Sequence, residues 1–305
     1  MPYFGGKSRA APLVWEALGN PANYCEPFFG SGAVLLARPH APRCETINDR
    51  DGMVANFWRA VKAAPAEVAH HADWPVNEAD LHARHRWLIG QRESLTERLV
   101  ADPEWFDARV AGWWCWGACA WIGDGWCVAE VRKLPHLGNE GMGVHAPRRG
   151  RAVGTDHVDV EGVGGWMRAL ATRLRAVRVA CGDWSRVCTD SVTWRHGLTG
   201  VFLDPPYAEG EQQYAAGGTG TTLSADVRAW AIEAGKRRDM RVVLAGLEGE
   251  HEMPAGWRCV PWKARGGYGS QRDDGTVNEN RHRERLWLSP HCEGARQLSL
   301  LGGAR

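Results

Sequence analysis

The chain has 305 residues and a formal net charge of +1. That length suits one large domain or two smaller ones. The near-neutral balance excludes a protein that grips polyanions through bulk charge, so any nucleic-acid surface must come from local patches.

No uninterrupted apolar run reaches the roughly 18 residues needed to cross a bilayer, so no membrane span is expected. The opening MPYFGGKSR has no apolar signal-peptide core. Nine cysteines without small-scaffold spacing read as reduced thiols of a cytoplasmic protein rather than a disulfide framework.

In chain order, NYCEP (23 to 27) reads as a strand end, FFGSG as a loop and AVLLAR as a helix. CETIND (44 to 49) is a second strand and DGMVANFWRAVKAA (51 to 64) a second helix. This order predicts a parallel sheet covered by helices. The character changes after about residue 65. Residues 76 to 110 read as helical and charged, followed by GWWCWGACAWIGDGWC, which is aromatic and glycine-rich. Residues 132 to 165 read as a basic loop. The α/β pattern then resumes with helix WMRALATRLRAV, strand VRVACGDW, strand GVFLDPPY, helix SADVRAWAIEAGKRR (224 to 238), strand RVVLAGL (241 to 247) and strand RERLWLS (283 to 289). The closing GARQLSLLGGAR reads as a tail.

Four short stretches carry chemistry. EPFFGSGAV, from Glu26 to Val34, joins a strand end to a helix start through Gly30 and Gly32. Such a turn lets a ligand approach the backbone closely; the alternative is an ordinary tight turn. Asn48-Asp49 closes the next strand. Asp49 suits ribose hydroxyls, or alternatively caps the helix that follows. Asp183-Trp184 ends VRVACGD and offers an acid and a ring to an adenine, or forms a surface turn. The fourth is Asp204-Pro205-Pro206-Tyr207 at the end of GVFL. All four fall at the carboxyl ends of strands, where open α/β sheets bind ligands.

These motifs resemble the D12 class, or Dam-like, family of adenine-N6 DNA methyltransferases. YFGGK resembles its aromatic-x-Gly-Gly-Lys motif, EPFFGSG its FxGxG cofactor motif and DPPY its catalytic motif. Their order is that of the family's α group, and the resemblance covers roughly residues 2 to 64 and 168 to 289. It implies a Rossmann-like α/β S-adenosylmethionine-dependent methyltransferase fold, with an inserted, largely helical and loop-built target-recognition domain. The catalytic domain is expected at 1–65 and 166–292, the insertion at 66–165 and a tail at 293–305. By the resemblance, Tyr3 and Lys7 help bind S-adenosylmethionine. Glu26, Pro27, Phe28, Gly30 and Gly32 wrap its methionine part, and Asp49 holds its ribose hydroxyls. Asp183 and the adjacent Trp184 meet its adenine. Asp204, Pro205, Pro206 and Tyr207 engage the target base, with Asp204 also bordering the cofactor. Only Met1 and Pro2 precede the aromatic motif, where the family often has a few more residues.

The insertion is expected to read double-stranded DNA. Arg132, Lys133, His136, Asn139, His145, Arg148, Arg149 and Arg151 are its candidates for phosphate or base contacts, with a solvated basic loop as the alternative. Six tryptophans (Trp105, Trp113, Trp114, Trp116, Trp121, Trp126) read as a small core in preference to a base-stacking platform. Cys115, Cys119 and Cys127 lack a paired CxxC, so no metal site is expected. Gln297-Leu298-Ser299-Leu300-Leu301 resembles the peptide by which bacterial replication and repair proteins dock on the sliding clamp; a tail packed on its own domain is the alternative. A monomer of bacterial or phage origin is expected. The leading reading is N6-adenine methylation. N4-cytosine methylation, whose enzymes usually carry Ser at the position of Asp204, and a non-catalytic DNA- or clamp-binding role are the alternatives.

Overall fold

The computed structural model describes residues 7–121, 125–128, 144, 158–206, 220–262 and 283–294. In chain order the elements are α1 (Ala11–Leu18), β1 (Asn23–Glu26), α2 (Ala33–Leu36), β2 (Cys44–Asp49), α3 (Gly52–Ala63), α4 (Pro65–Ala72), α5 (Glu78–Ala101), α6 (Ala108–Ala120), α7 (Val158–Leu174), β3 (Val177–Cys181), β4 (Thr199–Leu203), α8 (Gly220–Gly235), β5 (Met240–Leu247), β6 (Arg258–Pro261) and β7 (Glu284–Leu288). Two compact units result. One is built on Asp49–Asp183, the other on Lys7–Asn48 and the chain from Trp184 onward.

The second unit, here the sheet unit, carries six consecutive strands of a mostly parallel seven-stranded sheet, in the order β2-β1-β4-β5-β7-β6. This mixed α/β arrangement is compatible with a methyltransferase fold. β1 runs parallel to both β2 and β4, with Cys25 opposite Thr46 on one side and Val201 on the other. β4 runs parallel to β5, while β7 is antiparallel to β5 and β6. Every residue of β1 and β4 is buried, as expected for central parallel strands covered on both faces. Because the chain leaves β1 toward β2 on one side and finds β4 on the other, the switch point of the sheet lies between β1 and β4. Ligands bind such sheets at the carboxyl edge of that point.

The first unit, here the helical unit, packs α3, α4, α6 and α7 against one another, with α5 on α3 and α6. Three of its helices start on side-chain caps. Asp51 accepts from the Met53 N–H, Asn77 from Asp80 and Asp107 from Val110, each satisfying a backbone donor that has no helical partner. The Asn56 side chain clasps the Asp107 backbone, its Nδ2 donating to the Asp107 carbonyl and its Oδ1 accepting from the Asp107 N–H, both at 2.8 Å. The aromatic, glycine-rich stretch is helix α6, a state the sequence reading leaves unassigned. Gly117 sits inside it because the Trp126 ring lies where a Cβ would be.

That ring belongs to a buried cluster. Trp116 and Trp121 pack with Leu81 and Ala120, and Trp126 lies against them. The His85 ring stacks on Trp121 at 4.6 Å between centroids and lies 5.7 Å from Trp126. The indole N–H of Trp116 donates to the Trp74 carbonyl, and that of Trp126 to the Trp114 carbonyl. Burial with the indole N–H paired, as at Trp116 and Trp126, is how tryptophan serves a core. Arg84 covers the faces of Trp74, Trp113 and Trp116.

Several boundaries differ from the sequence reading. The helix expected from AVLLAR is the single turn Ala33–Leu36. The strand expected through DPPY stops at Leu203, and VRVACGDW stops at Cys181. In both cases the acid falls just beyond the ladder rather than within it. Among the described residues no helix is long and apolar enough to cross a membrane.

Candidate active site

The carboxyl edge of the sheet unit gathers the acids. β1 ends on Glu26, and Asp204 follows the last residue of the neighbouring parallel strand β4. β7 runs the opposite way and starts where β5 ends, with Glu284 opposite Leu247. Its first residue therefore reaches the same edge. Lys7 reaches that edge too. Its carbonyl accepts from the N–H groups of Ala10 and Ala11, in the turn that opens α1.

Lys7 is only 5% exposed. Its Nζ lies 2.9 Å from Asp204 Oδ1 and 4.0 Å from Glu284 Oε2, and the Trp262 ring centroid is 5.8 Å away. One buried cation thus stands between two carboxylates. Removing it would leave two like charges facing each other in a poorly solvated place.

Glu26 is buried, and Tyr24 Oη donates to its Oε2 at 2.8 Å. Burial pushes the Glu26 carboxyl well above its ordinary range, and the charge of Asp204 adds to that. The Tyr24 hydroxyl and the Leu35 N–H pull the other way. Burial, with Glu26 beside it, likewise raises the Tyr24 phenol. A carboxyl whose ionisation burial disfavours, but which already has donors aimed at it, ionises more readily when a cation arrives.

The loop after β1 has the form expected of a ligand cradle. Gly30 and Gly32 take φ of +47° and +67°, a region that glycine enters without strain. Asn48, at the end of β2, braces the loop twice. Its carbonyl accepts from the Phe29 N–H at 3.0 Å, and its Nδ2 donates to the Pro27 carbonyl at 3.0 Å. Because α2 is a single turn, the loop backbone rather than a helix terminus is what this segment offers. The Phe28 ring faces Trp184 at 6.3 Å and 25°, and Trp230 meets Trp184 edge-on at 6.2 Å. The indole N–H of Trp230 is tied to the Cys188 carbonyl.

In the helical unit, Asp49 Oδ1 accepts from the Asp51 N–H at 2.9 Å, and the Asp49 carbonyl accepts from Gly182 at 3.2 Å. The helix cap is Asp51, so the capping alternative for Asp49 falls away. Asp183 is exposed.

The sheet unit therefore brings together Lys7, Asp204 and Glu26, and sets Phe28 beside Trp184. Pro205 is buried and Pro206 half-buried. Tyr3, Tyr207, Arg132, Lys133, His136, Asn139, His145, Arg148, Arg149, Arg151 and the tail Gln297 to Leu301 lie outside the described residues. The sequence reading passes over Glu284, Trp262 and the bracing role of Asn48. Only Asn48 has a signal, its place beside Asp49. Among the described residues no group of three His, Cys, Asp or Glu is placed to hold a metal ion.

The family model of the D12 class N6 adenine-specific DNA methyltransferases matches residues 3–86. That span holds Lys7, the Glu26–Gly32 loop and Asp49. The match supports a DNA methyltransferase, and hence a DNA substrate. No curated protein matches the chain.

Proposed function

We propose that the chain transfers a methyl group from S-adenosylmethionine to N6 of adenine in double-stranded DNA. The observation that carries this reading is the buried Lys7–Asp204 ion pair at the carboxyl end of β4, beside the Glu26 end of β1. The donor set suits the cofactor. A sulfonium and an ammonium are cations, and the edge supplies Glu26, Asp204 and Glu284 against one lysine. The positive-φ turn at Gly30 and Gly32 gives close backbone approach. Glu26 and the Pro27–Gly32 loop hold the methionine part, Phe28 and Trp184 the adenine face, and Asp49 the ribose hydroxyls. When bound, S-adenosylmethionine supplies an electrophilic methyl group.

The amino group of adenine is a weak nucleophile because its lone pair is conjugated with the ring. Asp204 and the Pro205 carbonyl accept hydrogen bonds from that NH2, favour a pyramidal nitrogen and aim its lone pair. Two prolines hold the acid and the carbonyl in register. Lys7 fixes Asp204 and keeps it an acceptor. The proton lost from the amine passes to Asp204 or to water. Positioning and electrostatics carry the rate. The base reaches this edge by leaving the duplex stack, and Tyr207 stacks on it. The basic residues from Arg132 to Arg149 contact the duplex.

Modification-sensitive sequencing of DNA from a methylation-deficient host expressing the chain tests this. N6-methyladenine in one short motif, reduced at least about a hundredfold in Asp204→Ala, is the expected result. Unmodified adenine alongside N4-methylcytosine would replace the acceptor. No modified base from soluble protein would leave a binding role.

A further inference from the structure

Strand β1 carries a pairing that methyl transfer by itself leaves unexplained. Residues two apart in a strand point to the same face, so Tyr24 and Glu26 stand side by side. Tyr24 is fully buried, Glu26 is 2% exposed, and Tyr24 Oη donates to Glu26 Oε2 at 2.8 Å. A second donor comes from α2, whose N-cap, Gly32, makes no side-chain cap. The Leu35 N–H, three residues on, bonds to Glu26 instead. The acid thus does from the strand what a capping side chain ordinarily does. A carboxylate offers about four acceptor sites, and the two donors take two of them.

The phenol is braced from behind. The Trp15 ring lies 4.8 Å from that of Tyr24, and its indole N–H donates to the Val34 carbonyl at 2.7 Å. The Arg38 guanidinium lies over Trp15 at 5.1 Å, held by Glu45 at 2.9 Å and the Pro21 carbonyl at 2.8 Å. Burial keeps the phenol protonated, so toward the carboxylate it is a donor. A core requires none of this. Phenylalanine and an aliphatic residue would fill the same space, and replacing both partners of a buried pair by apolar groups of the same shape is nearly neutral or stabilising.

We propose that Tyr24 is a positioning residue, whose hydroxyl holds the Glu26 carboxylate in the orientation that receives the ammonium of the methionine part of S-adenosylmethionine. The inference rests on the reading of Glu26 as a methionine-binding residue. Without the hydroxyl, the carboxyl loses its aim and releases its proton less readily. The other charges that face Glu26 are Asp204 and Glu45. Lys7 pairs with the first and Arg38 with the second, and removing the hydroxyl alters none of them.

The test is calorimetric titration of the full chain with two ligands. S-adenosylhomocysteine keeps the ammonium and does not react; 5′-methylthioadenosine lacks the amino-acid part. Tyr24→Phe is expected to weaken S-adenosylhomocysteine about tenfold near neutral pH, and 5′-methylthioadenosine less than about twofold. The acid-side loss of S-adenosylhomocysteine affinity should move up by about one pH unit. In Glu26→Met, which offers the hydroxyl no acceptor, adding Tyr24→Phe should change affinity less than about twofold. That double variant leaves no buried polar partner, so it decides the matter if Tyr24→Phe alone does not fold. Equal losses for the two ligands, an unmoved pH profile, or a loss of about tenfold on top of Glu26→Met overturns the proposal. If Glu26→Met binds S-adenosylhomocysteine as the unaltered chain does, the reading of Glu26 fails and the proposal with it. If Glu26→Met weakens binding and Tyr24→Phe does not, only the Tyr24 proposal fails.

Discussion

The sheet unit and the helical unit both bury polar groups, and they do so to opposite ends. At the carboxyl edge of the sheet, Lys7, Asp204, Glu284 and Glu26 crowd together with one cation among three acids. Burial pushes the Glu26 carboxyl up while donors are already aimed at it. In the tryptophan cluster the Cys127 N–H donates to His85 Nδ1, and Arg84 lies flat on indole faces. The first gathers carboxylates around one lysine, a setting that suits a cationic ligand. The second meets the indole N–H groups of Trp116 and Trp126 with carbonyls and leaves Arg84 Nη1 buried without a hydrogen-bond partner. Crowding of charge, more than burial itself, separates a site from a core.

The largest effect that could break this contrast is expected at Lys7. Lys7→Met leaves Asp204 and Glu284 without their shared cation. Breaking a buried pair in this way costs about 3–5 kcal/mol, read as a lower midpoint in urea unfolding. Methyl transfer should fall at least about a hundredfold. A variant with normal stability and turnover would show that the pair is incidental.

A comparable stability loss with a different signature is expected at Trp116. This residue is fully buried, its indole N–H is bonded to Trp74 and Arg84 stacks 4.3 Å from its ring. Trp116→Ala should cost about 3–5 kcal/mol in cavity and lost transfer energy. Trp113→Ala, at a half-exposed ring that also meets Arg84 and Arg109, should cost about 1 kcal/mol. Equal losses at the two positions would mean that the cluster is not packed around Trp116.

How much of this the sequence tells depends on how local each signal is. CETIND is strand β2 to the residue, and DGMVANFWRAVKAA contains α3, because apolar periodicity and a capping Asp51 are written within a few positions. α1 escapes notice because five of its eight residues are buried and its cap, Ala10, makes no side-chain bond; no polar face or cap announces it. β6 is a four-residue strand whose burial alternates, too short for a period to emerge. α6 hides behind two glycines that ordinarily weaken a helix. Gly112 and Gly117 are tolerated because His71 and Trp126 occupy the space a side chain would need, a tertiary fact. The site divides the same way. Lys7, Glu26, Asp49 and Asp204 stand in motifs, whereas Glu284 stands in none. It joins the cluster only because antiparallel β7 begins where β5 ends.

The smallest expected effects sharpen the contrast most, because Glu26 and His85, one from each unit, should respond to pH with opposite signs. Glu26 is raised above 4.5, mainly by burial. The folded state therefore keeps a proton that the unfolded chain has already lost. Its contribution is fully present below about pH 4.5 and disappears as pH rises toward the elevated folded value. His85 is lowered from 6.5, again mainly by burial. It lies against Trp121 and Trp126 with Nδ1 accepting from the Cys127 N–H, and protonation would convert that acceptor into a donor. Its contribution is present above about pH 6.5 and is lost as pH falls through the depressed folded value. Urea unfolding between pH 5 and 8 compares each residue with a non-titrating stand-in. Glu26→Gln should lessen the decline on the alkaline side. His85→Asn, which keeps an acceptor near the Nδ1 position, should lessen the decline on the acid side. Each difference is at most about 1.4 kcal/mol per pH unit. His71 and His251 are depressed as well, so the slope shared by His85→Asn and the unaltered chain belongs to them. If the His85→Asn profile overlays that of the unaltered chain, His85 does not titrate with folding, and the ring between the two tryptophans is packing alone.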